Sequence, residues 1–179
     1  MNWIIGKKSQ IWVETVIFTL IGLVILGILL AIVTPKINQI KDKTILIHTM
    51  VSLNTFHQAV SETLLAPGNK REILISVSKG EYVLDGKNET VYYILESSTY
   101  QFSQLNQPTT SGNLIVLTKD GARDYDVYLM LNYSGFNLTY EGKDLVHELT
   151  QAPIPYKLLI ENEGKSPVTN LTNINIQQI

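Results

Sequence analysis

The sequence predicts an α+β protein in which a long N-terminal helix precedes an antiparallel β-rich, sandwich-like head. Three observations predict this class. Residues 16–33 form an uncharged apolar run, residues 36–66 repeat apolar side chains at helical spacing, and residues 70–179 alternate short β-type segments with turn signals. The chain has 179 residues, enough for one domain and a membrane anchor.

The apolar run is long enough to cross a lipid bilayer. Its 18 residues from Val16 to Val33 carry no charge. At about 1.5 Å per residue they reach about 27 Å, close to the roughly 30 Å of bilayer hydrocarbon. The run exceeds the core of a secretory signal peptide and ends at Thr34-Pro35 without a small-x-small cleavage pattern. We therefore expect residues 10–35 to form a retained membrane helix.

A short basic segment precedes the apolar run. Lys7 and Lys8 are followed by Ser9 and Gln10, and Glu14 stands inside the start of the run. This order resembles the class III signal peptide of type IV pilins, in its archaeal pilin and archaellin form, over the first 35 residues. The resemblance implies that residues 1–9 are a leader that a prepilin peptidase removes before Gln10. Ser9 departs from the commoner glycine or alanine at that position.

Glu14 would be the fifth residue of the processed chain. A carboxylate costs about 2.5–3.5 kcal/mol at the centre of a membrane helix and less near the interface. In the first helical turn it would also lie near the positive end of the helix dipole. The resemblance implies that Glu14 attracts the N-terminal amine of a neighbouring subunit during assembly. The alternative is an interfacial glutamate that only caps the helix.

Small residues in the run are candidates for close contact between helices. They are Gly22, Gly27 and Ala31, of which the last two have small-xxx-small spacing. A first half that is apolar all round suits lipid before assembly and a bundle of identical helices afterwards. The apolar run makes the membrane an expected partner, and the resemblance implies two more, the prepilin peptidase and copies of the chain or other pilins.

The helical pattern continues beyond Pro35, where we expect a kink. Steps of three and four residues define one apolar face of a single helix from Gln10 to Leu65, which Pro67-Gly68 ends. That face consists of Leu46, Met50, Leu53, Phe56, Val60 and Leu64. We expect the amphipathic half, residues 36–66, to pack on the head.

The head is expected to contain seven or eight short strands. Two hairpins are predicted, one around Asp85-Gly86-Lys87-Asn88 and one around Lys119-Asp120-Gly121. Residues 136–140 are expected to continue the meander, and residues 144–150 to form a helical turn. The remaining expectations are a strand at 72–78, a surface loop at 104–112, and a pair of strands at 156–160 and 168–176.

The sequence predicts no enzyme, cofactor or metal site. It has no cysteine and none of the G-x-S-x-G, phosphate-loop or H-E-x-x-H patterns. We expect the three histidines, His48, His57 and His147, to be surface or interface residues. Asp120, Asp124 and Asp126 with Asn132 would form either a calcium site or, as we favour, a solvated turn. A net charge of −2 without a basic block makes nucleic acid an unexpected partner.

Two further features bear on location and binding. Four N-x-[ST] sequons, at Asn88, Asn132, Asn137 and Asn170, are candidates for N-glycosylation and favour an extracellular head. All nine tyrosines lie in the head. They indicate either ordinary sheet packing or an adhesive surface, and packing is the more common role.

Three functions are compatible with these patterns. The first, which we favour, is a structural subunit of an archaeal type IV pilus-like filament that serves adhesion, located in the cell membrane before assembly and at the cell surface afterwards. The second is a minor pilin or filament-base component that binds a partner without polymerising in bulk. The third is an uncleaved, signal-anchored binding protein. Cleavage after Ser9 separates the third from the first two.

Overall fold

The computed structural model describes residues 7–121, 124–167 and 170–179, with side chains from Trp12 onwards. The chain divides into two compact units, residues 1–40 and residues 41–179. Helix α1 (Lys7–Thr63) contributes to both and is continuous through Pro35. It begins three residues before the predicted Gln10 and ends two residues before the predicted Leu65.

The amphipathic half of α1 packs on the head through the predicted face. Leu46, Leu53, Phe56 and Val60 are fully buried, and Met50 and Leu64 are half-buried against the same core. Because these side chains recur every three or four residues, they line one side of the helix. The prediction of a buried stripe in residues 36–66 is therefore confirmed.

Asparagines satisfy the carbonyl groups at the C-terminal end of α1. Nδ2 of Asn162 donates a hydrogen bond to the Thr63 carbonyl at 3.0 Å, and Nδ2 of Asn69 donates to the Glu62 carbonyl at 3.5 Å. The last carbonyls of a helix have no partner within the helix itself. These contacts therefore tie the end of α1 to the head.

The described part of the head contains ten strands in two sheets. They are β1 (Lys70–Ile75), β2 (Glu81–Asp85), β3 (Thr90–Ser98), β4 (Thr109–Ser111), β5 (Leu114–Asp120), β6 (Tyr125–Asn132), β7 (Asn137–Tyr140), β8 (Val146–Leu149), β9 (Tyr156–Lys165) and β10 (Thr172–Gln178). One sheet has the order β1-β9-β10-β7 and the other β4-β5-β6-β3-β2-β8. Both predicted hairpins are present, as β2–β3 and β5–β6, and β9 pairs with β10 as expected.

The structure is α+β, and a single hydrophobic core includes side chains from α1 and from both sheets. Along β3 the residues alternate, so that Val91, Tyr93 and Leu95 are buried while Tyr92 and Ile94 are partly exposed. This alternation is expected of a strand with one face on the core. The sandwich-like arrangement of the sheets stays a prediction.

Two predicted elements of the head are wrong. Residues 136–140 do not continue the meander: β7 joins the other sheet and runs parallel to β10. Residues 144–150 form no helical turn, because β8 pairs with β2 and buries Leu149 opposite Tyr82. A single turn of helix is marginal without tertiary support, whereas strand pairing satisfies several backbone groups together. The 104–112 loop also contains the short, exposed strand β4.

Candidate functional site

The predicted processing site lies at the start of α1. The helix begins at Lys7, so the Ser9–Gln10 peptide bond is in its first turn. The side chains of Lys7, Lys8, Ser9 and Gln10 lie outside the described part, and so do residues 1–6 entirely. Helix ends fray, and the first four N–H groups have no partner within the helix. This bond is thus at the least constrained end of α1.

Glu14 lies seven residues after the first residue of α1, which is about two turns. The prediction that it occupies the first turn is therefore wrong for the uncut chain, because the helix already includes Lys7–Ser9. Removal of residues 1–9 would leave Glu14 close to the new end. Its side chain is exposed and is surrounded along the chain by apolar residues.

The first half of α1 presents an uncovered apolar surface. Every residue from Trp12 to Asn38 is exposed, and the most apolar 18-residue window of the helix has a mean hydropathy of 3.2. By length and composition this helix is able to cross a membrane. The predicted contact residues share this exposure: a Cβ placed at Gly22 or Gly27 would meet no atom within 4 Å, and Ala31 is exposed.

Threonine hydroxyl groups within the apolar half donate hydrogen bonds to backbone carbonyls of the preceding helical turn. Oγ1 of Thr19 donates to the Thr15 carbonyl at 2.8 Å, and Oγ1 of Thr34 donates to the Leu30 carbonyl at 2.7 Å. Bonds of this kind let threonine sit in a membrane helix without an unsatisfied donor. The polar atoms of these threonines therefore do not oppose contact with lipid or with another apolar helix.

Asp42 anchors the amphipathic half of α1 to the head. It is 4% exposed, and its carboxylate accepts hydrogen bonds from Lys79 Nζ at 2.7 Å and from the Thr99 backbone N and Oγ1 at 2.8 Å each. Burial alone would raise the pKa of Asp42, but the bonds from Lys79 and Thr99 outweigh it and lower that pKa. Sequence reasoning missed this contact. The signal was the position of Asp42 four residues before Leu46, on the buried face.

The histidines are not brought together. Nδ1 of His57 lies 3.3 Å from the hydroxyl oxygen of Tyr133, and their rings stack with centroids 5.8 Å apart. Burial lowers the pKa of His57 and raises that of Tyr133. His147 stacks on Tyr140 at 3.8 Å, and His48 is exposed. His57 on α1 and His147 on β8 are therefore packing residues.

The aspartates considered for calcium lie at the turn between β5 and β6, away from Asn132. Oδ1 of Asp126 accepts a hydrogen bond from the Ser97 amide at 3.1 Å, while Asn132 lies at the other end of β6. Within the described residues, no three His, Cys, Asp or Glu side chains are grouped so as to hold a metal ion.

Of the nine tyrosines, four are buried and the other five are half-exposed. Tyr82, Tyr93, Tyr133 and Tyr140 are buried, as sheet packing predicts. Tyr92 and Tyr128 are half-exposed and, with Lys119, line an open cavity of about 360 Å³ on the outer face of the six-stranded sheet. Nζ of Lys119 lies 4.6 Å from the centroid of the Tyr128 ring. This face combines aromatic, cationic and polar groups that are able to contact a partner.

The sequon asparagines occupy four different structural settings. Asn88 is exposed in the turn between β2 and β3, and Asn132 is exposed at the end of β6. Asn137 is the half-buried first residue of β7, and Asn170 is exposed before β10 with a φ of 57°.

Three comparisons with known proteins add no relative: the chain matches no protein-family model, no curated protein and no solved structure.

Proposed function

We propose that the chain is a structural subunit of an archaeal type IV pilus-like filament, processed between Ser9 and Gln10 and assembled through its apolar helix. The observation that carries this proposal is the uncovered apolar surface of α1 from Trp12 onwards, directly after the leader-like segment. Burying one large aliphatic side chain contributes about 1.5–3 kcal/mol. A surface of this size requires a cover, first of lipid and then of neighbouring helices.

The second compact unit, residues 41–179, is consistent with assembly through the apolar half of α1 alone. Residues 41–179 possess their own core, which includes the buried face of α1, so the head does not need the apolar half to complete its packing. In the proposed subunit, Gly22, Gly27 and Ala31 provide places of close helix approach, and Glu14 docks the N-terminal amine of the preceding subunit. The half-exposed Tyr92 and Tyr128 make the outer face of the six-stranded sheet a candidate adhesive surface.

The test is the intact mass and N-terminal sequence of the protein from membranes and from a sheared cell-surface fraction. The proposal expects a chain that begins at Gln10 and is enriched in the sheared fraction. A Ser9→Phe variant should retain the nine-residue leader, while Ser9→Gly, which restores a common residue at that position, should be cut. A native chain that still begins at Met1 and stays in the membrane would contradict the proposal.

The alternative is an extracellular binding protein anchored by an uncut helix, or a minor pilin. One observation favours the uncut anchor: α1 is already helical at Ser9–Gln10, and proteases generally need an accessible, locally unwound backbone. The same N-terminal sequencing decides this case. A processed chain that is scarce in sheared filaments would identify the minor pilin.

A further inference from the structure

The four sequon asparagines, spread over residues 88–170, converge on one end of the head. In the six-stranded sheet, Thr90 of the first sequon is the register partner of Asn132. In the four-stranded sheet, Asn137 is the register partner of Asn173, three residues after Asn170. We call the part of the surface formed by residues 88–90, 132–139 and 170–173 the sequon end.

Contacts between the two sheets hold the sequon end together. The backbone amide of Leu138 donates to Oε2 of Glu89 at 2.5 Å, and the amide of Tyr133 donates to the Glu89 carbonyl at 2.8 Å. Glu89, the middle residue of the first sequon, therefore binds the segments that carry the second and third. Strand β3 runs from this end to Ser98, and Thr99 at its far end holds Asp42. All four sequons thus lie at the end of β3 opposite the Asp42 anchor.

Three of the asparagines, Asn88, Asn132 and Asn170, are exposed residues. Nδ2 of Asn88 donates to Oδ2 of Asp85 at 2.7 Å, which holds the exposed side chain on the turn. Oδ1 of Asn132 accepts a hydrogen bond from the Ser134 amide at 2.9 Å, in an Asx-type turn that leaves Nδ2 on the other side of the carboxamide. Asn170 is exposed in a left-handed conformation that asparagine tolerates.

The sequon at Asn137 differs from the other three in burial, because its three residues belong to strand β7. Asn137 is half-buried, Leu138 is buried, and Thr139 is 6% exposed. Oγ1 of Thr139 lies 3.3 Å from Oδ1 of Asn175 inside the head. A transferase that reads the hydroxyl of the third residue cannot reach Thr139 in the folded protein.

We propose that the sequon end is an N-glycosylated surface, with glycans on Asn88, Asn132 and Asn170 and none on Asn137. The inference rests on the extracellular head of the proposed function. Nδ2 of each asparagine attacks the anomeric carbon of a lipid phosphate-linked oligosaccharide. The new bond joins Nδ2 to that carbon, the bond from the carbon to the phosphate oxygen breaks, the lipid phosphate leaves with the electron pair, and the amide proton passes to a base.

The proposal has a consequence for contacts between heads. Glycans at three points of one end would cover that end with bulky, hydrated groups. The cavity that Tyr92 and Tyr128 line is also lined by Asn88 and Thr90, so a glycan on Asn88 would lie beside it. Protein contacts between copies would then use surfaces away from the sequon end.

The experiment maps glycopeptides by mass spectrometry on the full chain, isolated from the cells that produce it, in both membrane and sheared fractions. Glycan mass is expected on Asn88, Asn132 and Asn170. Ser134→Ala removes the second sequon while keeping the backbone amide that bonds Asn132, so one glycan mass should disappear. Ser134→Thr keeps the sequon and should retain that mass. Thr139→Val should leave the total glycan mass unchanged.

The outcomes separate this inference from the filament proposal. Unmodified asparagines on a chain that begins at Gln10 would overturn the inference and leave the proposed function in place. A glycan on Asn137 would contradict the claim that burial of Thr139 in the folded head prevents glycosylation of that sequon. Glycans on the three expected positions of a chain that begins at Met1 would support the inference and contradict processing.

Discussion

The carboxylate of Asp42, in the amphipathic half of α1, accepts a hydrogen bond from the ammonium group of Lys79 at 2.7 Å, across 37 residues of sequence. Two further bonds from Thr99 complete the site. The helix is thereby fixed to the head by a charged contact beside the apolar stripe. A buried carboxylate is costly unless it is paired and hydrogen-bonded, so this contact also specifies where α1 lies on the head.

Asp42→Asn should lower the free energy of unfolding of the head by about 1.5–3 kcal/mol, the range for hydrogen bonds to charged groups. The amide retains one acceptor oxygen but loses the charge that attracts Lys79. Chemical denaturation of the full chain in detergent, followed by near-ultraviolet circular dichroism, measures the change. Lys79→Met keeps the Thr99 bonds but leaves the buried carboxylate without its cation, so it should also lower the free energy of unfolding. Equal stability of Asp42→Asn and the native chain would contradict the anchoring role.

The Asp42 contact should also make stability depend on acid. The pKa of this carboxyl is lowered in the folded protein. Its contribution to stability is therefore fully present above the unfolded pKa, near 3.9, and is lost as pH falls through the lower folded value. Denaturation is measured at several pH values between about 5 and about 2. The free energy of unfolding should fall more steeply with decreasing pH for the native chain than for Asp42→Asn. If the free energy of unfolding depended on pH equally in both proteins, Asp42 would not be the group responsible.

His57 should add a second pH dependence at milder pH. Burial beside Tyr133 lowers the pKa of His57 in the folded state, so the unfolded chain binds the proton more readily. The free energy of unfolding is thus highest above the unfolded pKa, about 6.5, and falls as pH drops through the folded pKa. His57→Gln should flatten this slope. His48→Gln, at an exposed position, should keep it; the reverse pattern would show that another group titrates.

Gly80→Ala should destabilise the head by about 2–5 kcal/mol. The residue has a φ of 76°, and a Cβ there would collide with the Ile94 carbonyl and the Tyr93 hydroxyl. The left-handed conformation costs about 1–2 kcal/mol and overpacking adds about 1–3 kcal/mol. Gly112→Ala is the matched control: its φ is 61° but its Cβ would meet no atom within 4 Å. Equal losses in the two variants, measured by thermal unfolding, would show that the collision is relieved.

Glu14→Ala should reduce filament assembly while leaving processing and membrane insertion intact. Glu14 is exposed on α1 and would lie near the new N-terminus after cleavage. Loss of a charge pair worth about 1.4 kcal/mol corresponds to about tenfold weaker docking. The yield of sheared protein, relative to processed protein in membranes, measures the effect. Glu14→Asp retains the carboxylate and should restore part of the yield. Unchanged yield from Glu14→Ala would exclude the docking role.

Local patterns predicted much of this fold because the relevant physics is local. An uncharged run of 18 residues and the three-and-four spacing after it predict α1 within a few residues at each end. The turn residues around Asp85-Gly86 and Asp120-Gly121 predict two hairpins whose strands are neighbours in sequence. The segment before the apolar run likewise carries the resemblance that leads to the proposed processing and filament assembly.

Tertiary structure decided what depends on distant partners. Residues 137–140 and 146–149 join different sheets, because β10 and β2 supply partners that no local pattern reveals. The partners of the buried Asp42, Lys79 and Thr99, lie 37 and 57 residues further along the chain. Four sequons that are scattered in sequence share one end of the head, since the register of both sheets brings them there. Composition and spacing determined the long apolar helix and the kinds of element, whereas long-range pairing determined which residues meet.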